Sequence, residues 1–297
     1  MFMSCVEEKD VFIPIETNQP ISELKKFIPS SSISRTLSNQ ESHVLISQNG
    51  NQITIEENII NDLTESYQFN YIELLNYKDY ILHNLDYSTA TCPVDALMSF
   101  YLGTETESGS PSFSNGRSVK VRIALENDSQ NIKIGQGSFE SGVFRWNYNI
   151  PALNDYRKDV EWLVSDGEGS YRTVRGIELT LHNAGWYSIV DSPDVDFENN
   201  ELCVSYTEVF NPDNTVAFLM SESHNYIHQF KLQTNVASHC TSDIPVSEED
   251  SYMLLSISLL DDTYYIFETQ LSDFSEEVII NPEPISKDAL RSILESL

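Results

Sequence analysis

The chain has 297 residues, of which 40% are hydrophobic, and this is enough to build one large domain or two to three small ones. Its 46 acidic residues outnumber its 17 basic residues and give a net charge of −29, which repels the phosphates of nucleic acids. We therefore expect no nucleic-acid partner, and the ordinary role of such a charge is solubility. Contact with a membrane would need an anchor, because no apolar run reaches the roughly 18 residues that cross a bilayer.

The chain opens MFMSCVEEKD, so that apolar residues and a small serine directly precede Cys5. This order predicts the end of a bacterial lipoprotein signal, in which the cysteine is acylated and becomes the new N-terminus. The acidic residues after Cys5 resemble the export tag of Bacteroidota lipoproteins that face the cell exterior. We therefore expect residues 1–5 to be the remnant of a signal, Cys5 to be the lipid attachment site, and residues 6–29 to be a tether. The alternative is an ordinary N-terminus in which a cysteine occurs by chance.

Apolar β-branched residues flank Asn49 and Gly50, and this pattern predicts a β-hairpin with strands at 44–46 and 53–55. Further short apolar segments, separated by Gly, Ser and Asn clusters, predict strands along the rest of the chain: 67–75, 96–102, 119–125, 131–134, 142–148, 159–164, 173–181, 185–190, 201–210, 215–220, 226–233, 252–258 and 263–269. Short strands at regular spacing are typical of sandwiches.

Helical patterns are scarce. The clearest covers 286–297, where Ser286 can cap the N-terminus and Leu290, Ile293, Leu294 and Leu297 lie on one face. The predicted fold is therefore all-β, with two β-sandwich-like modules in tandem, at 30–135 and 136–282, and a short C-terminal helix at 283–297.

Four segments follow one another in the chain: QNGNQITIEENII, FNYIELLNYKDYILHNLDYSTA, GWYSIVDSPDVDFENNELCVSY and PEPISKDALRSILESL. In this order they resemble a family of Bacteroidota cell-surface lipoproteins whose function is uncharacterised, in which a glycine turn and strand precede a strand-rich second module and a closing helix. The sequence departs from that pattern at Glu56 and Glu57 and at residues 92–95. The resemblance implies an architecture and an outer-membrane location facing the exterior, and it implies no reaction.

Catalytic motifs are weak in this sequence. It contains no GxSxG, and Ser165 to Ser170 has the composition of a flexible turn. Cys92 precedes a proline, which favours an extended loop and gives no support for a reactive thiol. His224 and His228 are four residues apart, but the alternating residues around them predict a strand, in which they would lie roughly 13 Å apart and could not share one metal ion. They are more simply histidines that face solvent.

Two further sites are proposed from the acidic residues and the cysteines. Asp194, Asp196 and Glu198 place three carboxylates at alternating positions, so the loop could hold Ca²⁺ if backbone or Asn199 oxygens completed the shell; a solvated acidic loop is the alternative. Cys203 and Cys240 both lie beside strand-like residues, and in an exported protein they could form a disulfide.

The function expected from these features is that of a lipid-anchored outer-membrane protein that binds a glycan or another surface protein without catalysis. Trp146, Trp162 and Trp186 could stack on sugar rings, although aromatic residues in strands usually fill cores. The rival hypothesis is a secreted hydrolase with its site in a cleft between the two modules. Convergent carboxylates or a Ser/His pair would favour the hydrolase, and a flat or edge-strand surface would favour binding.

Overall fold

The computed structural model describes residues 19–61, 65–85, 95–125, 131–140, 143–151, 153, 157–165, 169–191, 198–207, 209–221, 226–233, 238–246, 250–271, 274 and 277–297. Within this part of the chain the fold is all-β with a short C-terminal helix, as the sequence predicted. The strands form four sheets, and every pair of neighbouring strands is antiparallel except one pair in the third sheet.

The first two sheets take their strands from residues 32 to 191. Sheet 1 has the order β1-β4-β5-β11-β7-β8, and sheet 2 has the order β2-β3-β6-β10-β9. Their strands are β1 (Ser32–Ser38), β2 (His43–Ile46), β3 (Gln52–Ile55), β4 (Ser66–Leu74), β5 (Asp95–Glu105), β6 (Val119–Ala124), β7 (Ile132–Glu140), β8 (Val143–Asn147), β9 (Lys158–Ser165), β10 (Tyr171–Leu181) and β11 (Gly185–Asp191).

The last two sheets follow in the chain. Sheet 3 has the order β15-β12-β18, and sheet 4 has the order β14-β13-β16-β17-β19. Their strands are β12 (Glu198–Tyr206), β13 (Thr215–Ser221), β14 (Ile227–Gln229), β15 (Ser238–Val246), β16 (Tyr252–Leu260), β17 (Thr263–Leu271), β18 (Val278–Ile280) and β19 (Glu283–Ile285). Three described helices are α1 (Gln19–Leu24), α2 (Tyr77–His83) and α3 (Lys287–Ser296).

Each pair of sheets encloses an apolar core. Alternate residues of β4, such as Phe69 and Tyr71, meet Val121 and Leu179 from sheet 2 in the first core. In the second, Leu202 and Val204 of sheet 3 meet Leu219 and Leu254 of sheet 4. This period-two alternation is what a strand needs to bury one face in each sandwich.

A third core joins the two pairs of sheets, because sheet 1 and sheet 4 also bury their other faces against the helices. Trp186 of sheet 1 and Phe218 of sheet 4 belong to this core, together with Leu24 of α1, Ile81 of α2 and Leu290 of α3. The layers therefore run sheet 2, sheet 1, helices, sheet 4, sheet 3.

Close packing in this central core requires a glycine in β7. A Cβ atom at Gly137 would lie 2.3 Å from the ring of Phe144 and 3.0 Å from the Cβ of Trp186. The Phe144 ring packs edge-on against Trp146, with 5.0 Å between ring centroids. Any side chain at residue 137 would therefore displace the Phe144 ring, which packs against Trp146.

The N-terminal segment differs from the expected tether of residues 6–29. Its residues from Gln19 onwards form α1, and Ile21, Leu24 and Ile28 are buried in the central core. These apolar residues recur at the spacing of a helical face, and this was the signal in the sequence that the tether interpretation did not use. Residues 6–18 lie outside the described part.

The boundary between the two pairs of sheets also differs from the expected one at residue 135. That residue lies inside β7, and β7 to β11 complete sheets 1 and 2. The change from one pair of sheets to the other comes between Asp191 and Glu198, because β11 pairs with β5 and β7 whereas β12 pairs with β15 and β18.

The C-terminal helix α3 begins where the sequence predicted, with the Ser286 side chain accepting a hydrogen bond from the Ala289 N–H. Leu290 and Leu294 are buried, and Lys287 lies 5.7 Å from the centre of the Phe27 ring. Arg291 also donates a hydrogen bond to the backbone oxygen of Phe27. The helix thus joins the two ends of the described chain. None of the described helices is long and apolar enough to cross a membrane.

The packing of α1 leads to a test by mutation. We expect Leu24→Ala to lower the free energy of unfolding by about 2–5 kcal/mol, because Leu24 is completely buried and its truncation leaves a cavity in the central core. Lys26→Ala, which changes an exposed residue nearby, should change it by less than about 0.5 kcal/mol. Denaturant unfolding measures both values. Equal, small effects of the two variants would show that this segment is not packed against the body.

Candidate binding surface

The edges of the sheets differ in how they are protected from pairing with another strand. Natural edge strands usually carry charges or proline, since an open edge is a template for strand addition. Several edges follow this rule: β1 contains Arg35, β8 contains Arg145, β9 contains Lys158 and two acidic residues, and β19 contains Pro284. Strand β2, with the sequence HVLI, carries neither a charged residue nor a proline.

Strand β2 also exposes apolar side chains. Val44 is 58% exposed and Ile46 is 48% exposed, whereas Leu45 between them is buried in the first core. Two other edge strands, β14 and β18, also lack charge and proline, but they expose fewer apolar side chains than β2 does. Strand β14 begins with the buried Ile227, and β18 has three residues with one strongly exposed side chain, Ile279. Among the described edges, β2 therefore combines an unprotected backbone with two exposed apolar residues.

The hydrogen-bond pattern shows which backbone groups of β2 point outwards. Ser47 donates its N–H to the Asn51 carbonyl at 2.9 Å, which closes the hairpin between β2 and β3. Bonded and non-bonded pairs alternate along an antiparallel ladder, so Leu45 bonds to Ile53 while Val44 and Ile46 stand in non-bonded positions. The N–H and C=O groups of Val44 and Ile46 consequently point away from β3, towards the open edge.

The turn of this hairpin is held rigidly. Gly50 has a φ of +85°, which favours glycine, and its carbonyl accepts a hydrogen bond from the Trp162 indole at 3.2 Å. The Asn51 amide donates to the Glu73 carboxylate at 2.7 Å and its oxygen accepts from the Ala124 N–H at 2.8 Å. Because Glu73 belongs to sheet 1, these bonds fix the hairpin of sheet 2 to the facing sheet.

The outer face of sheet 2 continues from β2 as a polar row. Ile46 is paired with Gln52, whose side-chain oxygen accepts a hydrogen bond from Arg122 at 2.8 Å. Arg122 in turn forms an ion pair with Glu178 at 2.8 Å. The apolar strip of β2 is therefore bordered on one side by an ordered polar surface and on the other by the open edge.

Two buried carboxylates of the described residues, Glu73 and Asp79, are held by hydrogen bonds to neighbouring structural groups. Glu73 is 1% exposed and is held by amide groups of the hairpin, as described above. Asp79 is 3% exposed and accepts a hydrogen bond from the Leu75 N–H at 3.0 Å, so it supports the first turn of α2. Burial raises the pKa of Asp79. Both groups therefore have structural partners among the described residues.

Four of the five described histidines have hydrogen-bond partners, whereas the buried Nε2 of His83 has none among the described residues. His43 and His182 contact backbone carbonyls, and His239 accepts a hydrogen bond from a backbone N–H. His228 lies on β14, a strand as expected, and pairs with Thr241 at 3.1 Å. The expectation that His228 faces solvent is not met, since the residue is half-buried and its Nδ1 is fully buried. His224 lies outside the described residues.

The remaining predicted site residues fall in different places. Cys203 and Cys240 are directly paired on β12 and β15 and form a disulfide. Cys5, Asp194 and Asp196 lie outside the described residues, so the lipid site and the calcium loop stay predictions. Glu198 begins β12, and its side chain is not described.

The tryptophans do not provide a stacking platform for sugars. Trp146, Trp162 and Trp186 are 7%, 6% and 3% exposed and belong to the cores. Core packing was the alternative expectation for these residues, and the structure agrees with it. Tyr171, at 67% exposed, is the most exposed of the large hydrophobic residues in the described part.

Comparison with known proteins adds no relative: no family model, no curated protein and no solved structure matches this chain.

Two half-buried histidines, His83 and His228, predict that acid destabilises the protein. Burial, and secondarily the charge of Lys25, lower the pKa of His83 to about 3 from the ordinary value of 6.5. Burial, and secondarily Lys231, lower the pKa of His228 to about 4. Between these values and pH 6.5 the unfolded chain binds more protons than the folded chain, so stability falls as pH falls through this range.

We expect His83→Phe to reduce the slope of unfolding free energy against pH, between about pH 6.5 and pH 4, by up to about 1.4 kcal/mol per pH unit. Phenylalanine retains the edge-to-face contact with Trp186, whose ring centre lies 5.6 Å from that of His83. Denaturant unfolding across this pH range measures the slope. The exposed His182→Gln is the control, and parallel slopes for wild type and His83→Phe would contradict the assignment.

Proposed function

We propose that this protein is a lipid-anchored binding protein of the outer membrane that captures an extended polypeptide segment of a partner on strand β2. The observation that carries the proposal is the unprotected edge of β2, with outward backbone groups at Val44 and Ile46 and exposed side chains at the same two residues. An added strand would form main-chain hydrogen bonds with these groups and place alternate side chains beside them.

The charge of the chain favours a particular partner. A net charge of −29 opposes the approach of a second copy of the chain and of acidic proteins. It favours a neutral or basic segment, and the period of a strand requires apolar residues at alternate positions to face Val44 and Ile46. The proposed ligand is therefore an extended segment in which apolar residues alternate with neutral or basic ones.

A polypeptide ligand is favoured over a glycan by two observations. The three tryptophans that could stack on sugars are buried. The exposed groups of β2 are backbone amides in the geometry that another strand matches, whereas glycan recognition usually relies on side-chain hydrogen bonds and aromatic faces. The membrane location rests on the sequence around Cys5 and on the resemblance to surface lipoproteins.

Binding is tested with short synthetic peptides that alternate valine with lysine, measured by fluorescence anisotropy. We expect wild-type protein to bind them and Val44→Pro to lose binding, because proline removes an N–H that faces the open edge and leaves the bonds to β3 intact. Ile46→Lys should also weaken binding, since an edge lysine opposes both strand addition and a basic ligand.

Ile279→Lys is the matched control, because it places the same charge at another exposed edge isoleucine. The proposal fails if the peptides do not bind, or if Ile46→Lys and Ile279→Lys bind them as well as wild type. A glycan array that captures wild type and Val44→Pro equally would assign the ligand to the glycan class instead. Sedimentation of wild type as a dimer that Val44→Pro abolishes would identify a second copy as the occupant.

The anchor is tested separately in the full-length precursor, expressed in its native cell. We expect Cys5→Ala to abolish incorporation of a radioactive fatty acid and to release the protein from the membrane fraction, because several acyl chains give stable anchoring. Cys92→Ala should keep both the label and the membrane location. If Cys5→Ala stays labelled and bound to the membrane, then Cys5 is not the lipid attachment site.

A further inference from the structure

We propose that Glu201, Cys203 and Cys240 form a redox-gated site for a thiophilic divalent cation such as Zn²⁺. These residues lie on the outward face of the β12–β15 pair, and one potential ligand atom from each lies within 4.8 Å of the other two. In the structure the two sulfur atoms are joined as a disulfide. The site is therefore closed in the oxidised protein, the form expected at the cell exterior, and is available only where a dithiol reductant has reduced the disulfide.

The geometry brings the three groups to one side of the sheet. Cys203 and Cys240 are directly opposite each other on paired strands. Glu201 precedes Cys203 by two residues, and its Oε1 lies 3.7 Å from the Cys203 Sγ. Glu201 and Cys240 are exposed and Cys203 is partly exposed, so a cation in solution reaches all three groups without a change in the backbone.

The backbone around the site does not depend on the disulfide alone. Leu202 and Val204, which flank Cys203, are completely buried in the core between sheets 3 and 4. The paired residues on either side of the cysteines, including Val204 with His239, continue the ladder between β12 and β15. Reduction therefore leaves the two cysteine side chains on neighbouring positions of an intact sheet.

The cation site opens when the disulfide is reduced, and this reduction is a two-electron exchange. A dithiol reductant supplies two electrons and two protons, the Cys203–Cys240 bond breaks, and the dithiol becomes a disulfide. Cation binding then displaces the two thiol protons, because the thiolate is the metal ligand.

The ligand set selects the cation. Two thiolates and one carboxylate suit Zn²⁺ or Cd²⁺ better than Ca²⁺ or Mg²⁺, which prefer oxygen ligands. A tetrahedral ion with Zn–S distances of about 2.3 Å needs its sulfur atoms about 3.8 Å apart, which the freed side chains reach by rotation about their Cα–Cβ bonds. Three protein ligands leave the fourth position to water. The net charge of −29 raises the local concentration of cations.

The site is tested with Cd²⁺ as the probe, in a Cys5→Ala/Cys92→Ala background that contains no other cysteine. Titration is followed by the ultraviolet charge-transfer band of a cadmium thiolate, with a phosphine reductant that does not bind the metal. We expect the reduced protein to give a band that saturates at one equivalent, which Zn²⁺ displaces, and the oxidised protein to give none.

Glu201→Gln should weaken Cd²⁺ binding to the reduced protein by about tenfold or more, since loss of even a supporting partner of a metal ligand costs about ten- to hundredfold. Glu268→Gln, the same change at an exposed carboxylate on β17, is the matched control and should bind as the parent does. Circular dichroism of the reduced protein reports whether the sheet persists.

Three outcomes overturn the proposal: no saturating band in the reduced protein, equal binding by Glu201→Gln and Glu268→Gln, or loss of the folded signal on reduction. None of these outcomes tests the proposed binding of peptides at β2, because the peptide experiments use the oxidised protein.

Discussion

The burial of both faces of sheet 1 at β4, β5 and β11 is the constraint on which the rest of the structure depends. One face packs on sheet 2, and the other packs on α1, α2 and α3, which in turn cover sheet 4. A single sandwich would leave one side of each sheet in water. Here the central helices fill the space between two sandwiches, so that residues from α1 near the start of the described chain and from α3 at its end belong to the same core.

Two strands of sheet 4 are buried on both faces in the same way, and this burial explains their composition. Seven consecutive residues of β13 are buried, and eight of the nine residues of β16 are buried. Strands that face apolar layers on both sides read as continuous apolar runs, whereas strands with one wet face alternate. Phe218 and Leu255 enter the central core while Leu219 and Leu254 enter the core against sheet 3.

The sequence predicted the elements that local residue patterns determine. It missed the elements that depend on their position in the tertiary fold. The β2–β3 hairpin was predicted because Asn49 and Gly50 mark a turn between alternating residues, and α3 because Ser286 precedes an apolar stripe. Strand β1 was missed because it is an exposed, polar edge strand with the pattern SISRTLS, which carries almost no apolar alternation. The packing of α1 was also missed, although Ile21, Leu24 and Ile28 recur at helical spacing, because so short a helix is stabilised mainly by the core that it enters.

The proposed binding sites show the same difference between local pattern and tertiary position. That β2 is a strand follows from its residues, but that it lies at the edge of sheet 2 depends on the order β2-β3-β6-β10-β9, which brings strands from distant parts of the chain together. The pairing of Cys203 with Cys240 could be proposed from their context. The proximity of Glu201 to both sulfur atoms could not, because it depends on the register of β12 against β15, which shifts between Asn200 and Leu202.

The burial of α1 also limits how a membrane anchor could hold the body. If Cys5 carries the lipid, only the 13 residues 6–18 lie between it and Gln19, where α1 begins, and not the whole of the expected tether that ends at residue 29. A chain of that length reaches at most about 50 Å even when fully extended. The body, including the open edge of β2, would therefore stay close to the membrane, where a partner held in the same surface meets it at a high local concentration. Modest affinity at a four-residue edge is then sufficient for capture, because confinement near the membrane raises the effective concentration of the partner.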